Sequence, residues 1–284
     1  MASDYVVFIL SHGRADNVIT YDTLRRCGYT GRVVIVIDDE DDQAEQYIER
    51  FGKDNVQIFS KAEIAQTFDE GAKGDRRTIV YARNACFDIA IRLGYTYFIE
   101  LDDDYTNFSY RFKDDFSFTN TISIKKLDNI FAAMLEYYQS IPALSIAMMQ
   151  GGDFLGGEQG NYSKSVRTYR KAMNSFICST ERRFNFVGRI NEDVNTYTTL
   201  GSMGYLFLST NQCHLLQKTT QSNKGGMTDV YCDSGTYLKT FFTVMYCPSS
   251  VKVSDMRSKN TRIHHRINWN NTAPKIIREL YKKH

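Results

Sequence analysis

Proline is scarce in this 284-residue chain: Pro142, Pro248 and Pro274 are all there is. No Ser/Gly-rich stretch supplies a linker in its place, so residues 1–284 read as a single domain with internal elaboration. Long apolar runs are missing as well. No window approaches the ~18 consecutive apolar residues of a membrane span, so no membrane partner is expected. Met1 to Tyr5 lack a basic start followed by an apolar stretch, so no signal peptide is expected and the cytoplasm is the expected location. None of the 6 cysteines forms a C-x-x-C pair or stands at zinc-finger spacing from a histidine. Buried free thiols in a reducing compartment are the expectation. Finally, Gly13 stands alone after the first strand, with no G-x-G-x-x-G, and no P-loop pattern occurs anywhere. The common dinucleotide and P-loop phosphate sites are thereby excluded.

What the chain has is strand–helix alternation. Tyr5–Leu10 and Val33–Ile37 are continuous apolar runs of strand length, as expected for strands buried on both faces. Val56–Phe59 and Tyr97–Leu101 follow as further strands. Helices are expected over Asp16–Arg26, through Tyr47 and Ile48 to Gly52, and over Thr78–Leu93 with Gly94 as its stop. Such alternation predicts a parallel sheet, in which ligands bind beyond the carboxyl ends of the strands. Ser11-His12-Gly13-Arg14, Asp38-Asp39 and Asp102-Asp103-Asp104 each end a strand, so all three clusters should face one rim. The second half is less regular. Helices are expected over Ile124–Tyr138, Asn191–Leu200, Asp233–Tyr246 and Thr272–Lys283, strands over Leu144–Met148 and Gly204–Leu208, and a long loop from Gly151 to about Ser165.

The run Phe98-Ile99-Glu100-Leu101-Asp102-Asp103-Asp104 carries the most information. Three adjacent carboxylates repel one another and contribute nothing as packing. A fold keeps them at a strand end when something positive sits there. A divalent cation such as Mg²⁺ or Mn²⁺, bridging one or two carboxylates to nucleotide phosphates, meets that need. A solvated acidic turn is the plain alternative. Basic residues gather later: seven Lys/Arg against one acid over residues 164–189, and nine against two over 252–284. Such stretches suit a polyanionic partner or, equally, an ordinary solvated surface.

The order of these motifs resembles a GT-A glycosyltransferase. The residues that carry the likeness are the Ser11–Arg14 turn, Asp38-Asp39, Arg83-Asn84, the D-x-D run at Asp102–Asp104, Asn191-Glu192-Asp193 as an x-E-D motif, and a late histidine. Tyr81-Ala82-Arg83-Asn84, Asn191–Val194 and Arg262-Ile263-His264-His265-Arg266 are most similar to the TET/JBP-associated glycosyltransferases of phages, relatives of the base J glucosyltransferase. The resemblance implies an α/β GT-A fold: a Rossmann-like, mostly parallel central sheet with flanking helices, a nucleotide-sugar half over about 1–110 and a contiguous acceptor half over about 111–284. It also implies transfer of a sugar, glucose in the first instance, from a UDP-sugar to the hydroxymethyl group of a modified pyrimidine in DNA.

Roles then follow from the resemblance. Asp102, Asp104 and His264 would hold Mn²⁺ or Mg²⁺, with His265 the alternative to His264. Ser11, Arg14, Asp38, Asp39, Arg83, Asn84, Asp102 and Asp103 would line the nucleotide-sugar pocket. Asp193 would be the general base of an inverting displacement, with Glu192 as fallback. A helix N-terminus favours acids on its own account, so the local sequence alone leaves Asp193 open. Arg167, Arg170, Lys171, Arg182, Arg183, Arg262 and Arg266 would contact DNA phosphates. Phe108, Tyr110 and Phe112 share a strand face and are core or, if exposed, a stacking platform for an extruded base; Trp269 carries the same choice. A glycan, lipid or protein acceptor, a nucleotidyltransferase, and a non-catalytic nucleotide- or DNA-binding module are the competing readings.

Overall fold

The computed structural model describes residues 4–71, 76, 78–115, 117–150, 175–217, 227–256 and 262–272. Its first half follows the apolar runs closely. Strands β1 (Tyr5–Leu10) and β2 (Val33–Asp38) are buried along their whole length. β3 (Val56–Phe59) and β4 (Tyr97–Asp102) complete a parallel unit in the order β3-β2-β1-β4. Between them run α1 (Ile19–Arg26), α2 (Ala44–Phe51), the short α3 (Lys61–Ile64) and α4 (Val80–Arg92).

The later strands continue the same sheet. These are β5 (Tyr105–Phe112), β6 (Phe118–Ser123), β7 (Ala143–Gln150), β8 (Ser175–Ser179) and β9 (Leu206–Gln217). The nine strands lie in the order β3-β2-β1-β4-β8-β7-β9-β5-β6. β8 pairs antiparallel with both β4 and β7, β7 and β9 are parallel, and β5 is antiparallel to β9 and β6. The two halves anticipated from the sequence thus share one sheet. Helices α5 (Leu127–Ser140), α6 (Glu192–Ser202), α7 (Met227–Tyr246) and α8 (Trp269–Thr272) complete the chain, with a separate two-stranded ribbon of β10 (Val251–Met256) and β11 (Arg262–Ile267).

Alternate residues of each central strand point to opposite faces, so the sheet divides the core in two. Val7, Ile9, Ile35 and Ile37 pack with Leu24, Tyr47 and Phe131 of α1, α2 and α5. Val6, Phe8, Val34, Val36 and Phe98 pack with Val80, Phe87, Val194 and Tyr197 of α4 and α6. The ring of Phe98 meets Phe87 edge to face, with centroids 5.0 Å apart. Each such buried aromatic contributes roughly 1.5–3 kcal/mol through apolar burial.

The structure departs from expectation in two elements. The residue spacing predicts an amphipathic α4, yet this helix is buried almost all round, Arg83 and Asn84 included, because residues 184–186 and α6 cover the side away from the sheet. The strand predicted to stop at Leu208 runs on to Gln217. Its partner register jumps from Met148↔Thr210 to Met149↔His214, and this bulge absorbs the polar Asn211-Gln212 that resembles a turn. Phe108 is core: it is fully buried and edge-on to Tyr105 and Phe131. The loop expected from Gly151 and nearly all of the terminal helix expected from Thr272 lie outside the described residues.

Candidate functional site

The parallel strands deliver their carboxyl ends to one edge. Leu10 of β1 sits opposite Asp102 of β4, and Leu10 leads straight into Ser11. Thr20 of α1 then pins the acidic turn from both sides. Its hydroxyl donates to the Asp102 carbonyl at 2.6 Å and accepts from Tyr105 N at 2.9 Å, while its own N–H donates to the Asp103 carbonyl at 3.0 Å.

This turn separates the three aspartates. Asp103 is 4% exposed and faces the β1 loop, where Ser11 Oγ donates to it at 2.6 Å and Arg14 Nη1 at 3.0 Å. Burial raises its pKa; Arg14 and Ser11 oppose that rise. Asp102 faces the other way, towards Arg83. Burial pushes its pKa up to about 7, against the pull of Arg83, and the charge of Asp104 adds to the rise more than that of Asp103.

Arg83 is the centre of the site. Its side chain is 1% exposed and reaches three carboxylates. Nε donates to Glu192 Oε1 at 3.0 Å, Nη2 donates to Asp102 Oδ1 at 3.0 Å, and Nη1 pairs with Glu100 Oε2 at 3.5 Å. The rings of Phe176 and Phe186 wall the guanidinium at 4.9 and 5.8 Å. Asn84 fixes that wall: its amide donates to the Phe186 carbonyl at 2.9 Å and accepts from the Phe186 N–H at 2.8 Å. Burial disfavours the charged guanidinium, but the three carboxylates outweigh it and hold its pKa well above the ordinary value. Burial likewise pushes Glu100 up to about 8 and Glu192, beside the charge of Asp193, up to about 7. One cation thus faces three carboxylates, a surplus of negative charge in a buried place.

The acid pair of α6 arrives here through a strained turn. Asn191 is left-handed, with φ 55° and ψ 42°, the one non-glycine with positive φ among the described residues. Its amide donates to Lys239 O and Thr243 Oγ1 of α7 at 2.8 and 2.9 Å. Asn195 donates back to the carbonyls of Val187 and Ile190, and Thr196 Oγ1 accepts from Val187 N. Gly188 in this loop needs its freedom: φ is +81°, and a Cβ would lie 2.5 Å from Asn195 Nδ2. Glu192 and Asp193 both start α6 buried at the site.

Along the rim, Asp38 forms a second cluster. His12 Nδ1 lies 2.8 Å from Asp38 Oδ2, and Lys61 Nζ lies 2.8 Å from Asp38 Oδ1 and 3.2 Å from Glu40 Oε2. Asp39 accepts from the Lys61 N–H, and Asp41 from the Gly13 N–H. Tyr47 OH accepts from Arg14 N and meets Ser11 Oγ at 2.8 Å. The structure thus joins Ser11, Arg14, Asp38, Asp39 and Asp103 along one edge, while Asp102 turns to Arg83.

The remaining candidates are distributed otherwise. Arg182 donates to the carbonyls of Tyr138, Ile141 and Ala143, closing the end of α5. Arg183 forms a forked pair with Asp88. Arg167, Arg170, Lys171 and the side chain of Arg262 lie outside the described residues. Arg266 is exposed on β11. His264 and His265 sit side by side there with ring centroids 4.3 Å apart, and His265 is on the buried side. Trp269 stacks on Tyr197 of α6 at 5.6 Å. Sequence reasoning missed Glu100, Lys61, Asp41 and Tyr47. For Glu100 a signal existed, a carboxylate in the middle of the apolar run Phe98–Leu101.

The site suits a hard divalent cation in its donor chemistry. Asp102 and Asp104 offer oxygen ligands where negative charge is in excess. Among the described residues no three His, Cys, Asp or Glu side chains gather into a cation cage. Two carboxylates completed by substrate phosphate and water are the arrangement these residues allow. Among the described residues no helix is long and apolar enough to cross a membrane.

Comparison with known proteins gives a family and distant structural likenesses. The model of a family described as TET-Associated Glycosyltransferase matches residues 5–226. No curated protein sequence matches. Among solved structures, S. aureus TarS is 13% identical with a TM-score of 0.45, over 76% of this chain but only 37% of that one. TarS 1–349 in complex with UDP-GlcNAc is 13% identical with a TM-score of 0.44, over 80% and 63% of the two chains. Glucosyl-3-phosphoglycerate synthase from Mycobacterium tuberculosis, in complex with Mg²⁺ and UDP, is 8% identical with a TM-score of 0.46, over 93% and 87%.

Proposed function

The chain belongs to the TET-associated glycosyltransferase family, and from that premise we propose that it moves a hexose from a UDP-sugar to the hydroxymethyl group of a 5-hydroxymethylpyrimidine in DNA. The observation that carries this reading is the double engagement of Arg83. One buried guanidinium binds Asp102 of the D-x-D turn and Glu192 of the acid pair, which supports a reading in which donor and acceptor ends of a displacement are held side by side.

In this reading Ser11, Arg14 and the Asp38–Lys61 cluster line the nucleotide end, with Asp38 or Asp39 facing the base. Asp102 and Asp104 would hold Mn²⁺ or Mg²⁺ together with substrate phosphate and water; among the described residues neither His264 nor His265 gathers with them into a group of three. When bound, the ion neutralises charge on the departing diphosphate. Asp193 takes the proton of the acceptor hydroxymethyl. The oxygen freed by that transfer forms the new bond to the anomeric carbon as the bond to the diphosphate oxygen breaks, and the electron pair leaves with the diphosphate. Attack opposite the leaving group inverts the sugar. Glu192 is the weaker base candidate because it already accepts from Arg83. Arg83 and Asn84 position rather than contact the donor: one holds the carboxylates, the other holds Phe186. A cytoplasmic setting goes with buried, free Cys27, Cys86, Cys178, Cys213 and Cys247.

The test is transfer from a panel of UDP-sugars, with Mn²⁺, to duplex DNA containing hydroxymethylcytosine or hydroxymethyluracil, read by nucleoside mass spectrometry. A hexose-sized mass gain that disappears in Asp104→Ala and Asp193→Ala is the expected result. Donor hydrolysis without transfer to either base would move the acceptor to a glycan, lipid or protein.

A further inference from the structure

The β10–β11 ribbon stands apart from the main sheet and has two unlike faces. In an antiparallel pair, cross-strand partners share a face. Val251↔Ile267 and Val253↔His265 form one face, buried at Val251 (1% exposed) and His265 (5%) but open at Val253 (40%). Lys252↔Arg266 and Ser254↔His264 form the outer face. Lys252 and Arg266 are both exposed. The ribbon's one acid, Asp255, belongs to the other face.

Two like charges directly opposite each other destabilise a ribbon. A two-stranded ribbon is also marginal by itself and needs support. Here α7 supplies that support, and Lys252 and Arg266 stay exposed. The ribbon also leads into α8, which packs on α6. Asn268 N donates to Ser250 O at the ribbon's base, and Trp269 follows, stacked on Tyr197 of α6 at an interplanar angle of 17°. The Thr272 carbonyl packs so closely on Gly201 of α6 that a Cβ there would lie 2.2 Å from it. The ribbon is thereby tied, through α8, to the helix that begins with Glu192 and Asp193.

We infer that the outer face of the β10–β11 ribbon, through Lys252 and Arg266, is the surface that grips the phosphate backbone of duplex DNA and sets the target base over the α6 acids. A two-stranded ribbon has the dimensions to follow a DNA groove, and paired cations on it match phosphates without reading sequence. The inference rests on the DNA-acceptor reading above and names the surface for it.

The test is binding of a short unmodified duplex, followed by fluorescence anisotropy across a salt series. Lys252→Gln/Arg266→Gln should make the slope of log K against log salt shallower by about 1.8, from about 0.9 for each phosphate that the protein no longer neutralises. Lys252→Arg/Arg266→Lys should keep the wild-type slope. The thermal midpoint of the Gln pair should stay near wild type, because solvent-face substitutions are close to neutral. An unchanged slope in the Gln pair, with the wild type still binding DNA, would overturn the ribbon surface and leave the DNA acceptor standing. A wild-type protein that ignores the duplex but binds an anionic glycan such as heparin would overturn both.

Discussion

Two acidic strand ends in this molecule have become different things. After β4, Asp102 joins Glu100 and Glu192 around a single buried arginine walled by two phenylalanines. After β2, Asp38 meets His12, which is 44% exposed, and Lys61, which is 4% exposed. At β2 two cations bracket the single carboxylate of Asp38, which settles below its ordinary pKa: burial pushes it up, but His12 and Lys61 outweigh burial. At β4 the acids outnumber the cation and their pKa values rise. The balanced cluster is a brace for the rim. The unbalanced one is poised to take a further cation, and that is where the chemistry is expected.

Removing the central cation should separate the two most sharply. Arg83→Met leaves three buried carboxylates without a partner, and breaking a buried pair this way costs about 3–5 kcal/mol. Urea unfolding should show that loss together with loss of transfer. Arg83→Lys keeps the charge but not the fork, so it should restore part of the stability and little of the activity. At β2, Lys61→Met should cost about 1.5–3 kcal/mol, the range for a hydrogen bond to a charged group, because His12 still holds Asp38. If Lys61→Met costs as much as Arg83→Met, the contrast between brace and poised site fails.

The contrast was half legible in the sequence. β1, β2 and β4 are read from apolar runs because strands buried on both faces have no polar alternation to interpret, and their shared direction places three polar clusters on one edge. β6, β8 and β10 escaped because they are short and carry Ser, Thr, Lys or Asp within them, so no apolar run marks them. Arg83 and Glu100 lie 17 positions apart, and Glu192 a further 92 on, so only the fold reveals that they meet. A charge inside an apolar run was the visible clue. The sequence could equally well have placed Arg83 on the surface, and the burial of α4 on the side of Arg83, away from exposed Asp88, Ile91 and Arg92, is what rules that out.

Asn191 sharpens the comparison from the side of the acid pair, since the brace has no strained residue. Asn191→Ala loses two hydrogen bonds to α7 and keeps a Cβ on the left-handed backbone without the polar side chain that makes this conformation tolerable, a cost of about 1–2 kcal/mol. Asn191→Gly loses the same bonds without the strain. The Gly variant should therefore be the more stable of the two by about 1 kcal/mol, and both should lower transfer more than they lower binding of UDP, because the defect lies at Glu192 and Asp193. Equal stability would mean that the left-handed turn relaxes and stores nothing.

The smallest effect belongs to His12, and its pH dependence identifies the brace. The hydrogen bond to Asp38 raises His12 above its ordinary 6.5, against partial burial. Folding therefore favours the protonated ring. The stability it adds is complete below pH 6.5 and fades as pH rises through the higher folded value. Asp38 works in the opposite sense: its contribution is complete above its ordinary 3.8 and fades as pH falls through the lowered folded value. The stability difference between wild type and His12→Asn should thus be greatest between pH 3.8 and 6.5 and should vanish in mild alkali. Its size should stay below about 1 kcal/mol, because the ring is nearly half exposed and screened. Thermal unfolding of both proteins across pH measures it. A difference that instead grows above neutrality would mean that the neutral ring is the stabilising form, and the rim would then be held by Lys61 alone.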